Sequence, residues 1–303
     1  YRLAVRSRPN RISICVSAIG NATVTIYTAM RRVTGNMMTN SPVQFGMEVG
    51  LRISQAAEEA HYLESLGFDF IMAGEHIMRG ASPSAMAIPV LSAAAGATTR
   101  VRLVTSILLV PLYHPVLLAK LLSIMDRICG GRLTVGIGVG GEFPEEFQAM
   151  GVPVGERGRR ANEILEIMLR LWTQSKVNYE GSYYTFRDVT LNPGPLQEPH
   201  PPLWVAGRKE AAMRRAALYG DGWYPYLYSP ERLRSSIEYI SQYAEQQGRD
   251  ISEFQWGIQT PIILDDTPKK AMEVAGRTLR HFFPSSSNWR RIVARYCLLG
   301  TPE

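Results

Sequence analysis

Cysteine is scarce in this chain, which contains three in 303 residues. Cys15, Cys129 and Cys297 form no CxxC pair, and an odd number of widely spaced cysteines argues against a disulfide framework. This usage is typical of a reducing compartment, so we expect a cytoplasmic protein. The five histidines are also dispersed without metal-ligand spacing, which argues against a metal site.

Long apolar runs and a general excess of charge are missing as well. No apolar stretch reaches the roughly 18–20 residues that a membrane span requires. The formal net charge of +6 originates in residues 1–42, which contain six arginines and no Asp, Glu or Lys. The remaining 27 basic residues are balanced by 27 acidic ones, so the body of the chain lacks the basic surface of a nucleic-acid-binding protein. The sequence therefore predicts a small-molecule substrate without nucleic acid or membrane as partner, and leaves a homodimer open.

The basic segment 1–42 is expected to lie outside the fold. Its arginines precede a weakly apolar stretch, Ile12–Ile19, as in a targeting signal. Ser, Thr and Asn scattered among the apolar positions favour a non-native or unprocessed leader instead, with Met37 or Met38 as the natural start. The folded domain is therefore predicted to cover residues 43–303.

The stretch from Val101 to Glu142 organises that domain. Val101–Val110 is an apolar run typical of a strand buried on both faces, and Val116–Ile128 has apolar residues at helical spacing. A second apolar strand, Leu133–Ile137, then runs into a cluster of glycines. Because glycine at the carboxyl end of a strand lets a ligand approach the backbone, this βα unit predicts a cofactor site.

The same alternation of strand and helix extends over the rest of the domain. An eight-unit (β/α) barrel typically needs about 250 residues, and seven strands are recognisable. The chain stops at Thr301-Pro302-Glu303, a pattern typical of a helix start, so the eighth unit is predicted to be truncated and the barrel to have unpaired edges. The predicted strands are Val43–Val49, Phe68–Ala73, Val101–Val110, Leu133–Ile137, Leu203–Ala206, Asp221–Leu227 and Phe254–Leu264.

Glu75 and His76 follow the second predicted strand. An imidazole can donate or accept a proton near neutral pH, which suits the oxidation of a hydroxyl group or the reduction of a carbonyl group. The alternative is a polar pair that only binds the backbone of the surrounding loop.

Ala206, Gly207 and Arg208 end the fifth strand and open a helix. Free N–H groups, the helix dipole and a cation together predict a phosphate site, with a solvated helix start as the alternative. The glycines of the segment Gly136–Glu142 do not have the spacing of a dinucleotide-binding fingerprint. They are expected to let a cofactor ring or its side chain approach.

Five motifs stand in order along the chain: LYHPVLLAK, GIGVGGE, GERGRRANEIL, PPLWVAG and YGDGW. Taken together, they resemble the luciferase-like monooxygenase family, and in particular the branch that uses the deazaflavin coenzyme F420. The resemblance covers residues 43–303. It implies a bacterial-luciferase-like (β/α)8 TIM barrel with a flavin-type cofactor at the carboxyl ends of the strands.

The resemblance also implies roles for individual residues. His76 would transfer a proton, and Glu142 would protonate or polarise the cofactor ring. A non-proline cis peptide bond between Ser106 and Ile107 would bulge under that ring. The residues expected to contact the cofactor are Glu75, Ser106, Ile107, Gly138, Val139, Gly140, Gly141, Ala206, Gly207 and Arg208.

The expected function is that of an oxidoreductase that moves a hydride between coenzyme F420 and a small organic substrate. The first alternative is an FMN-dependent monooxygenase that uses reduced flavin and oxygen, because the same barrel serves both cofactors. A second alternative, from another class, is a non-catalytic F420- or flavin-binding protein or an inactive remnant. The chemical identity of the substrate is not predicted.

Overall fold

Parallel strands and helices alternate along the chain, as the apolar runs predict. The computed structural model describes residues 12–19, 43–50, 52–80, 84–279 and 288–301. Within these ranges the strands are β1 Ile12–Ile19, β2 Gln44–Glu48, β3 Phe70–Ala73, β4 Arg102–Thr105, β5 Leu108–Leu109, β6 Leu133–Gly138, β7 Val177–Glu180, β8 Thr185–Val189, β9 Leu203–Val205, β10 Gly222–Trp223, β11 Gln255–Leu264 and β12 Leu298–Gly300.

Eight of these strands form a closed ring of parallel pairings. The order around the ring is β1, β2, β3, β4, β6, β9, β10 and β11, and β11 pairs back to β1. The short strand β5, which follows β4 in the chain, pairs with the last residues of β6. β12 pairs with the last residues of β11. The ring and its helices confirm the predicted TIM barrel.

The eighth position of the ring is filled from the amino-terminal side. β1 pairs with β11 from Ile12 opposite Trp256 to Ile19 opposite Ile263, and with β2 from Ser13 opposite Gln44. The prediction that residues 1–42 lie outside the fold is therefore wrong for residues 12–19, and the predicted unpaired edges of the first and last strands are covered. Residues 1–11 and 20–42 lie outside the described ranges, as do Pro302 and Glu303 at the predicted final helix start.

Helices follow the strands and cover the outside of the barrel. In α3, Leu118, Leu122 and Met125 are buried as predicted, whereas Leu117 and Ile128 are more than half exposed. No helix in the described part of the chain is long and apolar enough to cross a membrane. The helices are α1 Ala56–Ser65, α2 Ala87–Ala97, α3 Pro115–Ile128, α4 Pro144–Ala149, α5 Arg157–Thr173, α6 Glu210–Tyr219, α7 Pro230–Gln246, α8 Pro268–Leu279 and α9 Trp289–Tyr296.

Two element boundaries differ from their predictions for local reasons. The predicted third strand, Val101–Val110, is interrupted between β4 and β5, where the backbone bulges at Ser106 and Ile107. From the sequence, Ser54 can cap a helix that runs to Leu66. In the structure, the helix α1 instead begins after a 3-10 turn over Ile53–Gln55, without a side-chain cap, and Ile53 is exposed.

The core has two layers. The larger layer lies between the sheet and the helices. A smaller one fills the inside of the barrel, where the ring of Trp204 lies 5.4 Å from that of Tyr224 and 5.6 Å from that of Phe70. Met72 and Val104 complete this inner cluster. The inside of the barrel is therefore packed, and space for a ligand must be sought above it, at the ends of the strands.

The segment between α5 and β9 is long and rich in Pro, Gly and Tyr, which predicts an excursion from the barrel. In the structure it contains the antiparallel hairpin β7–β8. Its return segment is anchored by the fully buried carboxylate of Asp126, which accepts hydrogen bonds from the backbone N–H groups of Leu196 and Gln197, both at 2.8 Å. A groove of about 690 Å³ separates the hairpin from the first turns of α3, with His114, Lys120 and Tyr184 in its walls. This groove lies on the outside of the barrel.

Candidate active site

The carboxyl ends of the parallel strands meet at one face of the barrel, the mouth. There the chain leaves β3 at Gly74, β6 at Val139 and β9 at Ala206. Pairing keeps these ends level, since Ala73 lies opposite Thr105 and Ile137 opposite Val205. The predicted site residues that follow β3, β4, β6 and β9 are therefore brought to one face.

The bulge between β4 and β5 forms part of the floor of this mouth. The peptide bond between Ser106 and Ile107 is cis, which confirms the prediction. The Ser106 N–H donates to the carbonyl oxygen of Ala73 at 2.7 Å, and the Thr105 hydroxyl donates to that of Gly136 at 2.8 Å. Ile107 remains partly exposed, so its side chain offers an apolar surface to a ligand in the mouth.

The glycines of β6 make room for this bulge. A Cβ atom on Gly136 would overlap the carbonyl oxygen of Thr105, and one on Gly138 would overlap the side chain of Ile107. Gly138 was expected to give space to the cofactor, and in the structure it gives space to the neighbouring strand. Gly140 and Gly141, with φ of 59° and 114°, continue the turn and are partly exposed, as is Val139.

Arg157 fixes the turn formed by these glycines. Its Nε donates to the carbonyl oxygen of Gly140 at 3.2 Å, and its Nη1 donates to that of Val154 at 2.7 Å. A side chain on Gly141 would meet the Arg157 guanidinium. This arginine therefore positions the backbone beside the mouth, a role that its place in the basic GERGRR motif does not reveal.

Glu75 lies just below the mouth and is buried. Its Oε1 accepts the N–H of Leu109 at 2.7 Å, and its Oε2 accepts the hydroxyl of Tyr113 at 2.8 Å. Both oxygens of the residue that was expected to contact the cofactor thus bind the segment that follows the bulge. Burial raises the pKa of Glu75 to about 7, against the lowering effect of these two hydrogen bonds.

This raised pKa predicts a pH-dependent stability. Because the pKa is higher in the folded than in the unfolded chain, the contribution of Glu75 is fully present below about pH 4.5 and is lost as the pH rises to about 7. A rise from 4.5 to about 7 corresponds to about 3 kcal/mol. Urea unfolding at pH 5 and pH 8 should show this loss in the wild type, and a smaller loss in Glu75→Gln. An equal loss in both proteins would contradict the assignment.

His76 lies at the mouth beside a carboxylate that the sequence analysis missed. Its Nδ1 is 3.3 Å from Oε1 and 3.4 Å from Oε2 of Glu146, on α4. The ring of Phe143 packs edge-on against the imidazole, with centroids 4.8 Å apart. The side chain of Glu146 is fully buried, whereas 27% of the His76 side chain is exposed. The imidazole thus connects a buried acid to the open face of the barrel.

Glu142, the acid that was expected to act on the cofactor ring, lies elsewhere on the rim. It is exposed, and its Oε1 accepts the hydroxyl of Tyr226 at 3.2 Å. The Arg208 guanidinium covers the ring of Tyr226 at 4.7 Å. Glu142, Tyr226 and Arg208 therefore form a polar cluster that joins the ends of three strands.

The turn after β9 leads into α6, as predicted for the phosphate site. Gly207 has a φ of 149°, and a Cβ atom there would meet Ala212 on α6. The N-cap residue of α6, Lys209, makes no side-chain capping bond. Arg208 thus directly precedes the start of α6 in the sequence, and a helix start with a nearby cation in general favours phosphate.

Comparison with known proteins identifies relatives of this chain. The sequence profile of the luciferase-like monooxygenase family matches residues 29–297. An FMNH(2)-dependent dimethylsulfone monooxygenase of Pseudomonas putida is 28% identical over 84% of this chain and 70% of its own length. An F420-dependent glucose-6-phosphate dehydrogenase of Beutenbergia cavernae is 30% identical, over 69% of this chain and 64% of its own length.

A solved structure extends the likeness from sequence to fold. The monooxygenase RslO1 of Streptomyces bottropensis is 30% identical to this chain and superposes with a TM-score of 0.72. The superposition covers 84% of this chain and 80% of that protein. Together with the family profile, this shows that the chain belongs to the luciferase-like monooxygenase family.

Proposed function

We propose that this member of the luciferase-like monooxygenase family is an oxidoreductase that moves a hydride between coenzyme F420 and a small organic substrate. The observation that carries the proposal is the pairing of His76 with the buried carboxylate of Glu146 beside the bulge at Ser106 and Ile107. A proton-transferring group thereby stands at the mouth, where a ring cofactor would lie. The F420-dependent dehydrogenase among the relatives supports this choice of cofactor.

The residues at the mouth fit a cofactor with a flat ring and a phosphate. The apolar side chain of Ile107 and the turn at Val139 and Gly140 would hold the ring. The turn at Gly207 and the guanidinium of Arg208 would hold the phosphate. When bound, the deazaflavin supplies a ring that accepts or donates a hydride.

The part assigned to the protein is proton transfer and orientation. A bound deazaflavin would accept the hydride from the C–H bond of a substrate alcohol. The hydroxyl proton of that alcohol is assigned to Nε2 of His76, so that a carbonyl group would form. An imidazole suits this step because it can accept a proton near neutral pH and return it in the reverse reaction. Glu142 and Tyr226, on the rim, would bind the substrate or the outer part of the cofactor.

The second candidate function is that of an FMN-dependent monooxygenase. Its support is the likeness to the FMNH(2)-dependent dimethylsulfone monooxygenase, whose 28% identity is close to the 30% identity of the dehydrogenase. RslO1, a monooxygenase, is also 30% identical to this chain. The mouth would serve FMN with the same residues, since FMN also combines a flat ring with a phosphate.

We place the enzyme in the cytoplasm, working on a small molecule. Cys129 and Cys297 are free thiols, and the free form of cysteine persists in a reducing compartment. A homodimer remains part of the proposal.

Fluorescence titration of the purified chain with F420, FMN and riboflavin tests the choice of cofactor. We expect F420 to bind at least about tenfold tighter than FMN, a difference of about 1.4 kcal/mol. FMN should in turn bind tighter than riboflavin, because only FMN carries a phosphate for the turn at Gly207. Tighter binding of FMN than of F420 would favour the monooxygenase, and binding without turnover would favour a non-catalytic binding protein.

Two matched variants locate the phosphate in the same titration. Arg208→Gln should reduce the preference for FMN over riboflavin, because it removes the cation at the rim. Lys209→Gln, at the exposed neighbouring position, should leave that preference close to the wild-type value. An unchanged preference for FMN over riboflavin in Arg208→Gln would contradict a phosphate at this turn.

A further inference from the structure

The carboxylate of Glu146 is held as an acceptor of hydrogen bonds by the backbone of the neighbouring loop. The N–H of Ile77 donates to its Oε2 at 3.1 Å, and His76 Nδ1 lies within 3.4 Å of both oxygens. An amide N–H can only donate, and an ionised carboxylate can only accept. For an ionised Glu146, the hydrogen between its carboxylate and His76 belongs to Nδ1 of the imidazole.

The position of Glu146 is set by the packing of α4. Phe147, the next residue, is fully buried in a cluster with Leu109 and Leu112. Phe143, three residues before Glu146, packs against the imidazole itself. Glu146 thus lies on the inward face of a short helix that is anchored on both sides, so its carboxylate has little freedom to move away from His76.

We propose that Glu146 is a positioning residue that keeps the proton of neutral His76 on Nδ1, so that Nε2 is the nitrogen open to substrate. The ring geometry supports this, because Nδ1 and Nε2 lie on different edges of the imidazole, and only one edge faces the buried carboxylate. With the proton on Nδ1, Nε2 carries the lone pair that accepts a proton. The inference that an open Nε2 is needed for turnover rests on the proposed function.

The isosteric variant Glu146→Gln separates positioning from simple packing. The N–H of Ile77 requires an oxygen, so the amide oxygen of the new side chain should face Ile77 and its NH₂ group should face His76. An NH₂ group donates, so Nδ1 must become the acceptor and the proton must move to Nε2. The substitution therefore reverses the tautomer while the volume of the side chain is retained.

The test uses ¹⁵N NMR of the cofactor-free, histidine-labelled protein, with the His76 signal assigned by its loss in His76→Ala. We expect the Nδ1–H tautomer in the wild type and in Glu145→Gln, a control at the exposed neighbouring position of the same helix. Glu146→Gln should show the Nε2–H tautomer. Glu146→Asp, which keeps a carboxylate, should return part of the Nδ1–H population. The Nε2–H tautomer in the wild type, or an unchanged tautomer in Glu146→Gln, would overturn the proposal.

Turnover then separates this proposal from the proposed function. If both hold, Glu146→Gln should lower kcat by about 10²-fold or more with KM nearly unchanged, because the lone pair is on the wrong nitrogen. A reversed tautomer with unchanged kcat would leave Glu146 as the positioning residue and remove His76 from proton transfer. The wild-type tautomer alone decides the proposal if Glu146→Gln fails to fold.

Discussion

Replacing His76 with alanine is expected to lower kcat for hydride transfer by about 10²–10⁴-fold, the usual contribution of a general acid–base group. The affinity for F420 should change little, because the imidazole is assigned to the substrate proton and the cofactor to other residues of the mouth. Steady-state kinetics and fluorescence titration of the same preparations measure the two quantities.

The stability of His76→Ala must be measured in parallel. Without the imidazole, the fully buried Glu146 carboxylate keeps the hydrogen bond from the Ile77 N–H and loses its contact with His76. A buried polar group that loses a partner lowers the free energy of unfolding. Turnover should therefore be compared well below the unfolding temperature of the variant. His61→Ala is the control, since His61 is exposed on α1 and its Nδ1 lies 3.2 Å from the carbonyl oxygen of Ala97, away from the mouth. Wild-type turnover in folded His76→Ala would exclude proton transfer by His76.

The barrel was predictable from sequence because its inner strands have a clear pattern. Short apolar runs such as Leu133–Ile137 end in glycine, and amphipathic helices follow them. β1 was not predictable in the same way. Ile12–Ile19 carries serines and a cysteine among its apolar residues and follows a basic segment, so it resembles a leader. Its place between β2 and β11 depends on pairing with distant strands, which local patterns do not specify.

The site was predictable where a strand end coincides with a polar residue, as at Glu75 and His76. Glu146 was missed because Glu145 and Glu146 are adjacent in FPEEF, and burial of one of them follows from tertiary packing. One local signal was present. Phe143, Glu146 and Phe147 have the spacing of a single helix face, which places an acid within an apolar stripe.

Glycines illustrate a further limit of sequence analysis. A glycine at a strand end shows that something approaches the backbone closely, without showing what. Gly138 was assigned to the cofactor, and the group opposite it is the side chain of Ile107. The bulge at Ser106 and Ile107 thus depends on glycines of the neighbouring strand, so these positions act on the site through the shape of its floor.

This dependence makes Gly136 the position of largest expected effect on stability. A Cβ atom there would overlap the carbonyl oxygen of Thr105, and backbone cannot rotate away as the end of a side chain can. The Thr105 hydroxyl also binds the carbonyl oxygen of Gly136, so both strands would have to separate. Gly136→Ala is expected to lower the free energy of unfolding by about 3 kcal/mol or more, the upper range for overpacking a core.

Gly138→Ala and Gly96→Ala provide matched comparisons by urea denaturation. The first meets the end of the Ile107 side chain, which can turn towards the mouth, so it should cost less stability and weaken cofactor binding more. The second lies on α2, where a Cβ atom would meet open space among the described residues beyond the helix's own backbone. It should be neutral or stabilise by about 0.4–1 kcal/mol. Similar stability in Gly136→Ala and Gly96→Ala would mean that β4 and β6 tolerate a side chain between them. The position of the bulge would then be set by other contacts, and not by the lack of a Cβ atom on β6.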